Sequence, residues 1–190
     1  MKRLPGLMTC VVLLLSCTLL SSQDLQPVDR ISNGGFEDGV VGWQADAQHE
    51  RIVDPEVAHR GKACLSGEVT QPNQALRLRR NIVVRAGHRY RFDMWARATN
   101  RTKLVLWAVL PGDKQRTMIA SWTNVTRKWQ RFTTPIAVTK TGMLELEIIA
   151  PSSYGAPIGR MWLDDVSLIE TPMPPVLDLS LIHISEPTRR

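Results

Sequence analysis

Apolar and polar residues alternate along most of this chain in short runs broken by turn signals. Over 90–98, Tyr90, Phe92, Met94 and Ala96 point one way, and Arg91, Asp93, Trp95 and Arg97 the other. That two-residue period is the mark of a half-buried strand. Leu76, Leu78, Ile82 and Val84 keep the same rhythm over 75–84, and Leu144, Leu146 and Ile148 alternate with Glu145 and Glu147 over 143–149. The run 104–110 is apolar on both faces and predicts a central strand. Further strands are predicted at 63–67, 117–122, from 129 onward and over 161–170, with a long loop over 151–159. Arg60-Gly61-Lys62, Ala86-Gly87-His88 and Pro111-Gly112-Asp113 supply turns between them. Short strands at this spacing, with no long helical period, predict an all-β sandwich or barrel.

The two ends read differently. Lys2 and Arg3 precede a nearly continuous apolar run over 7–20. It is too short for a membrane span and has the layout of a secretory signal, with cleavage expected near residue 23. Leu14-Leu15-Ser16-Cys17 also reads as a weak lipobox, which would anchor the protein to a membrane through Cys17. Secretion, or display at the cell surface, is therefore expected. Thr171-Pro172-Met173-Pro174-Pro175 opens an extended linker over 171–178, since proline forbids ladder bonding and favours polyproline geometry. Linkers lead somewhere, so a downstream region is expected. The run 179–190 resembles a translated sequencing adapter rather than natural sequence, and is set aside. The folded module is expected to span 24–170.

Charge and cysteine usage narrow the function. The chain holds 24 Lys and Arg against 18 Asp and Glu. Leaving out Lys2, Arg3, Arg189 and Arg190 on one side and Asp178 and Glu186 on the other gives 20 against 16, a mildly basic module. Its arginines are spread over most strands, with a local cluster at Arg77, Arg79 and Arg80. Nucleic-acid binding would want a basic stripe with a recognisable reader. Cys10 and Cys17 lie in the signal, so Cys64 stands alone in the module, as a small buried residue rather than a nucleophile. Asn100-Arg101-Thr102 and Asn124-Val125-Thr126 are glycosylation sequons, relevant only to a eukaryotic source. The four histidines show no metal-ligand spacing.

A catalytic reading fails on strand parity. Glu145 and Glu147 share a strand face and read as solvated; Asp164 and Asp165, being adjacent, would point to opposite faces. Glycoside hydrolysis needs two carboxyls facing each other across a cleft. No nucleophile elbow, phosphate loop or zinc motif is present. The module is not expected to be an enzyme, although a longer protein could carry a hydrolase domain.

Four stretches then stand in a telling order. They are Asn33-Gly34-Gly35-Phe36-Glu37 with Gly42-Trp43; His59-Arg60-Gly61-Lys62-Ala63-Cys64-Leu65; Gly87-His88-Arg89-Tyr90-Arg91-Phe92-Asp93-Met94-Trp95-Ala96-Arg97; and Trp129-Gln130-Arg131-Phe132 followed by Leu163-Asp164-Asp165-Val166-Ser167-Leu168. Together they resemble the secreted carbohydrate-binding modules of families four, nine and twenty-two. The resemblance implies a two-sheet antiparallel jelly roll of the galactose-binding-domain type. It also implies a structural calcium where the first and last strands meet, with Glu37 and Asp164 as the matching acids. Parity places Asp164 on the face of Val166 and Leu168, where an inward carboxylate would need a partner such as a cation.

Sugar recognition needs flat apolar rings against pyranose faces and planar polar groups for hydroxyls. Trp95 lies on the polar face of its strand; Trp107 and Trp122 lie on neighbouring strands and could share its groove. Arg97, Asp93 and Gln130 are candidate polar contacts, whereas Trp43, Trp129 and Trp162 fall in fold motifs and are expected in the core. The expectation is non-catalytic binding of a polysaccharide or glycan, tethering a larger extracellular protein or glycoside hydrolase to its substrate. An adhesion or spacer domain of the same fold, without sugar affinity, is the alternative.

Overall fold

A computed structural model describes residues 26–71, 74–151 and 159–173. The signal and lipobox, most of the expected 151–159 loop, the adapter-like tail and most of the linker lie outside the described residues. Among those described there is no helix, and eleven strands follow in order. These are β1 (Val28–Asp29), β2 (Gln44–Ala45), β3 (His49–Val53), β4 (Ala63–Val69), β5 (Ala75–Val84), β6 (His88–Ala98), β7 (Thr102–Val109), β8 (Thr117–Val125), β9 (Gln130–Ala137), β10 (Gly142–Pro151) and β11 (Gly159–Pro172). The expected strands are all present. The short β1, β2 and β3 carry little alternation and escape a pattern search. β11 runs through Pro172, so the first two residues of the expected linker continue a strand.

Every pairing is antiparallel, and the strands form two sheets. One runs β3-β4-β11-β6-β9, with β1 pairing the far end of β11; the other runs β2-β5-β10-β7-β8. We call them the β11 sheet and the β10 sheet. The chain thus forms the expected two-sheet sandwich. Pro135 sits in β9, an edge strand whose outer side needs no donor.

The core lies between the sheets. Phe92 and Met94 from one side and Leu78, Leu104, Leu106, Leu144 and Leu146 from the other are fully buried, as are Met161 and Leu168. Each such side chain contributes roughly 1.5–3 kcal/mol by leaving water. Cys64 is buried too, and burial raises its thiol pKa to about 11, which leaves it inert.

The first glycine-rich stretch packs as a loop on this core. Asn33 donates to the carbonyls of Gly39 and Val41 and accepts from the amide of Asp38. Phe36 is wholly buried and packs 5.8 Å from Trp43, whose indole N–H donates to the Asn33 carbonyl. A Cβ at Gly34 would lie 1.7 Å from the Val166 carbonyl oxygen, so only glycine lets this loop lie against β11.

Candidate functional site

The two sheets present two very different outer faces. On the β11 sheet, β6 turns Arg91, Asp93, Trp95 and Arg97 outward, as its alternation predicts. β11 does not keep simple parity beside it. Asp165 and Val166 together sit opposite the single residue Met94, a β-bulge, and Asp165 takes a left-handed φ of 47°. Val166 and Leu168 therefore face the core, but Asp164 pairs with Trp95 on the outward side. The expectation that Asp164 shares their face is corrected by that one extra residue.

Asp164 is nonetheless fully buried, because the loop between β3 and β4 folds over it. The amides of His59 and Arg60 donate to its Oδ2 at 2.8 and 3.2 Å, and the amide of Asp165 to its Oδ1 at 2.8 Å. Burial outweighs these bonds and pushes its carboxyl pKa up to about 6. Glu37 holds the same loop from the other side, accepting from the amides of Lys62 at 2.7 Å and Ala63 at 3.2 Å. The Lys62 amide, above all, keeps its carboxyl below the usual range. Gly61 turns the loop at φ 69°, and a Cβ there would meet Glu37 Oε1 at 2.1 Å.

Aromatic groups complete this cover. The His59 ring stacks on Trp95 at 3.8 Å and 18°, and its Nδ1 lies 2.6 Å from Asp165 Oδ2. Arg97 is clasped between Trp129 and Trp162, at 5.0 and 4.6 Å from the ring centres, and donates to the Val57 carbonyl. Trp129 and Trp162 are thus half-buried clamps on the outer face, and of the three tryptophans expected in the core only Trp43 is there.

The outer face of the β10 sheet centres on a carboxylate. Register places Glu147 directly between Arg79 of β5 and Trp107 of β7. Its Oε1 accepts from Arg79 at 2.8 Å and Arg77 at 3.3 Å, and its Oε2 from Arg116 at 2.9 Å. The Arg116 guanidinium also lies 4.7 Å from the centre of the Trp107 ring. Burial alone would raise the Glu147 pKa, but Arg79, Arg116 and Arg77 overcome it and hold the carboxyl below its usual range. Gln44 pairs with Arg79 at the sheet edge. Around this polar centre, Val83, Met118 and Met143 are more than half exposed.

The structure therefore separates the three candidate tryptophans. Trp95 is on the outer face of the β11 sheet and Trp107 on that of the β10 sheet. Trp122 pairs with Leu104, turns inward and packs 5.5 Å from Phe132 at the margin of the core. A two-residue period within 117–122 cannot reveal this, because bulges beside Thr102 and Leu106 reset the register of β8. Asp93 and Arg97 stay with Trp95. Gln130 closes the β8–β9 turn through bonds to the Thr126 amide and hydroxyl, which occupy its carbonyl oxygen.

Glu147 and its arginines were missed by sequence reasoning. Glu147 is 6% exposed, not solvated. The available signal was the Arg77-x-Arg79 spacing, which puts two guanidiniums on one strand face.

Comparison with known proteins agrees with this architecture. The family 61 module TmCBM61, solved with β-1,4-galactotriose, superposes with a TM-score of 0.58 at 16% identity, over 74% of this chain and 97% of that one. The CBM22-1 xylan-binding domain of Paenibacillus barcinonensis Xyn10C gives 0.60 at 16% identity, over 79% and 99%. The CBM22-1–GH10 modules of Clostridium thermocellum xylanase 10B, complexed with xylohexaose, give 0.58 at 13% identity, over 74% and 28%. At such identities the likeness shows the fold alone. No curated protein sequence matches the chain. The family model described as "Carbohydrate binding domain" matches residues 28–153, and the chain belongs to that family, the non-catalytic carbohydrate-binding modules of families four and nine.

Proposed function

We propose that this module binds a polysaccharide or glycan on the outer face of its β10 sheet, with Trp107 as the stacking platform. The observation that carries this reading is the Trp107 ring set beside Glu147 and its three arginines on a sheet face that no loop among the described residues covers. The ring supplies an apolar face for a pyranose, and the guanidiniums and carboxylate supply planar donors and acceptors for hydroxyls. Arg116 is about half exposed and reaches in from beside the sheet, so it can turn aside as a sugar docks. On the opposite sheet His59 already occupies one face of Trp95.

The rest of the reading follows from the family. The module would act outside the cell, holding a larger protein or an attached hydrolase at its substrate and so raising local concentration. One structural neighbour joins such a module to a glycosidase domain. A structural calcium held by Glu37 and Asp164 belongs to the same proposal. Asp164 is a buried carboxylate with no cationic side chain in contact among the described residues, which suits a hard cation. No group of three or more His, Cys, Asp or Glu gathers among those residues, so the ion would draw its other oxygens from backbone carbonyls. It would pin the 59–63 loop to the first glycine-rich loop, which carries Glu37, and to the last strand.

Affinity for a panel of soluble neutral oligosaccharides, measured with the whole chain and Trp107→Ala, tests the binding. Saturable binding that Trp107→Ala abolishes is expected; binding that survives the change would move the site elsewhere. For calcium, thermal unfolding with the ion and with a chelator should differ by several degrees, and identical curves would leave the loop to its amide bonds alone.

A further inference from the structure

The β11 sheet carries a second hollow that the proposed glycan face does not use. It is a trough of about 390 Å³ along β6, between the first glycine-rich loop and β9. Arg91, Asp93 and Trp95 form its floor, Arg131 one flank, and Asp165 and Arg60 the other.

Its hydrogen-bonding capacity is one-sided. Asp93 accepts from Arg91 Nε at 2.7 Å through one oxygen and from Arg131 Nε and Nη2 at 3.0 and 2.7 Å through the other. Asp165 Oδ2 is taken by His59. Asp29, at the trough's end, spends one oxygen on the amides of Ile31 and Leu168. The arginines are less occupied. Among the described residues Arg91 donates only through Nε, and the Arg60 guanidinium makes no hydrogen bond, lying 3.8 Å from Asp165 with its side chain 76% exposed. Asp29 and Asp165 each keep one carboxylate oxygen without a donor among the described residues, but Arg60 and Arg91 leave more N–H groups unpaired than those oxygens can take, and both arginines line the trough beside Trp95. Such a surplus of planar donors matches a carboxylate, which the guanidinium fork can grip with two bonds, on a ring that can rest against Trp95.

We propose that this trough is a second glycan site that takes a uronic-acid residue through Arg60, Arg91 and Arg131, so that the module carries an acidic-sugar site on the sheet opposite its Trp107 face. It goes beyond the Trp107 reading and can stand or fall separately from it.

Titration calorimetry with oligogalacturonate, its methyl-esterified form and a neutral oligosaccharide separates the two, using the whole chain, Arg60→Ala, Arg131→Gln and Trp107→Ala. Oligogalacturonate should bind, weaken with added salt and lose about tenfold or more in affinity on Arg60→Ala, while Trp107→Ala changes it less than about twofold. The esterified oligomer should bind far more weakly. Arg60 is mostly exposed, so its variant should keep the parent melting temperature; Arg131→Gln adds a second probe on the other flank. No binding of oligogalacturonate, equal binding of the ester, or loss of acid binding in Trp107→Ala would overturn the proposal. Neutral binding lost only in Trp107→Ala would leave the first reading intact in each of those cases.

Discussion

The two outer faces of this sandwich are built from the same residue types and put them to opposite uses. On the β11 sheet, a tryptophan, a histidine and an arginine clasped by two more tryptophans hold a loop down over the strands. Asp164, with no cationic side chain in contact among the described residues, binds that loop's amides. On the β10 sheet no loop among the described residues is fastened over Trp107, and the acid at the centre, Glu147, is neutralised by three guanidiniums that reach into solvent. An aromatic ring and an arginine therefore do not mark a ligand face by themselves. What distinguishes the faces for a neutral glycan is how the ring is covered: a loop histidine stacks on Trp95, whereas the mobile end of one arginine, Arg116, lies over Trp107.

That contrast can be broken most directly at the rings. Trp107→Ala should cost neutral-glycan binding roughly 2–4 kcal/mol, a loss of about 30- to 1000-fold, with little change in melting temperature. Trp95→Ala should do the reverse, lowering thermal stability while leaving neutral binding within about twofold. Equal effects of the two changes on binding would erase the distinction.

Asp164→Ala removes two amide bonds to the loop, from His59 and Arg60, and one to Asp165 on its own strand, and should destabilise the fold by about 2–3 kcal/mol, read by denaturant unfolding. The conservative Asp164→Asn should retain part of that. A stability equal to that of the parent would mean that the loop is held by its aromatic contacts alone.

Acid acts on both faces through carboxylates held below their ordinary pKa. For Glu147 and Asp93 alike, burial is the largest influence and opposes ionisation, but the bonds from arginine exceed it. A depressed folded pKa contributes stability above the unfolded value, near 4, and loses it as pH falls through the folded value. Stability should thus fall below about pH 4, and the glycan face should fail in the same range as Glu147 releases its arginines. Stability unchanged from pH 5 to 3 would contradict the pairing. The smallest effect is expected at Gln130: Gln130→Ala should cost about 0.5–1.5 kcal/mol by opening the β8–β9 turn, without altering binding.

Much of the fold was legible because period-two alternation survives wherever a strand has one wet face, as in β5, β6 and β10. The family motifs likewise mark positions with a local steric demand, such as Gly34 beneath Val166 and the Phe36–Trp43 pair. The site was legible only in part. Trp95 could be assigned outward by parity, but 104–110 is apolar on both faces and does not orient Trp107, and which sheet each belongs to depends on strand order, which one strand's sequence does not carry. Bulges defeated parity twice, at Asp164 beside Asp165 and at Trp122 through β7. Glu147 was misread because a carboxylate alternating with leucines looks solvated until partners from β5 and from the loop before β8 arrive.

The most direct measurement is an NMR titration following the six indole N–H signals as a neutral oligosaccharide is added. A glycan face on the β10 sheet predicts that the Trp107 signal shifts with saturable dependence on sugar while those of Trp43, Trp95 and Trp122 stay in place. Movement of Trp95 with Trp107 silent would contradict it and transfer the neutral site to the β11 sheet.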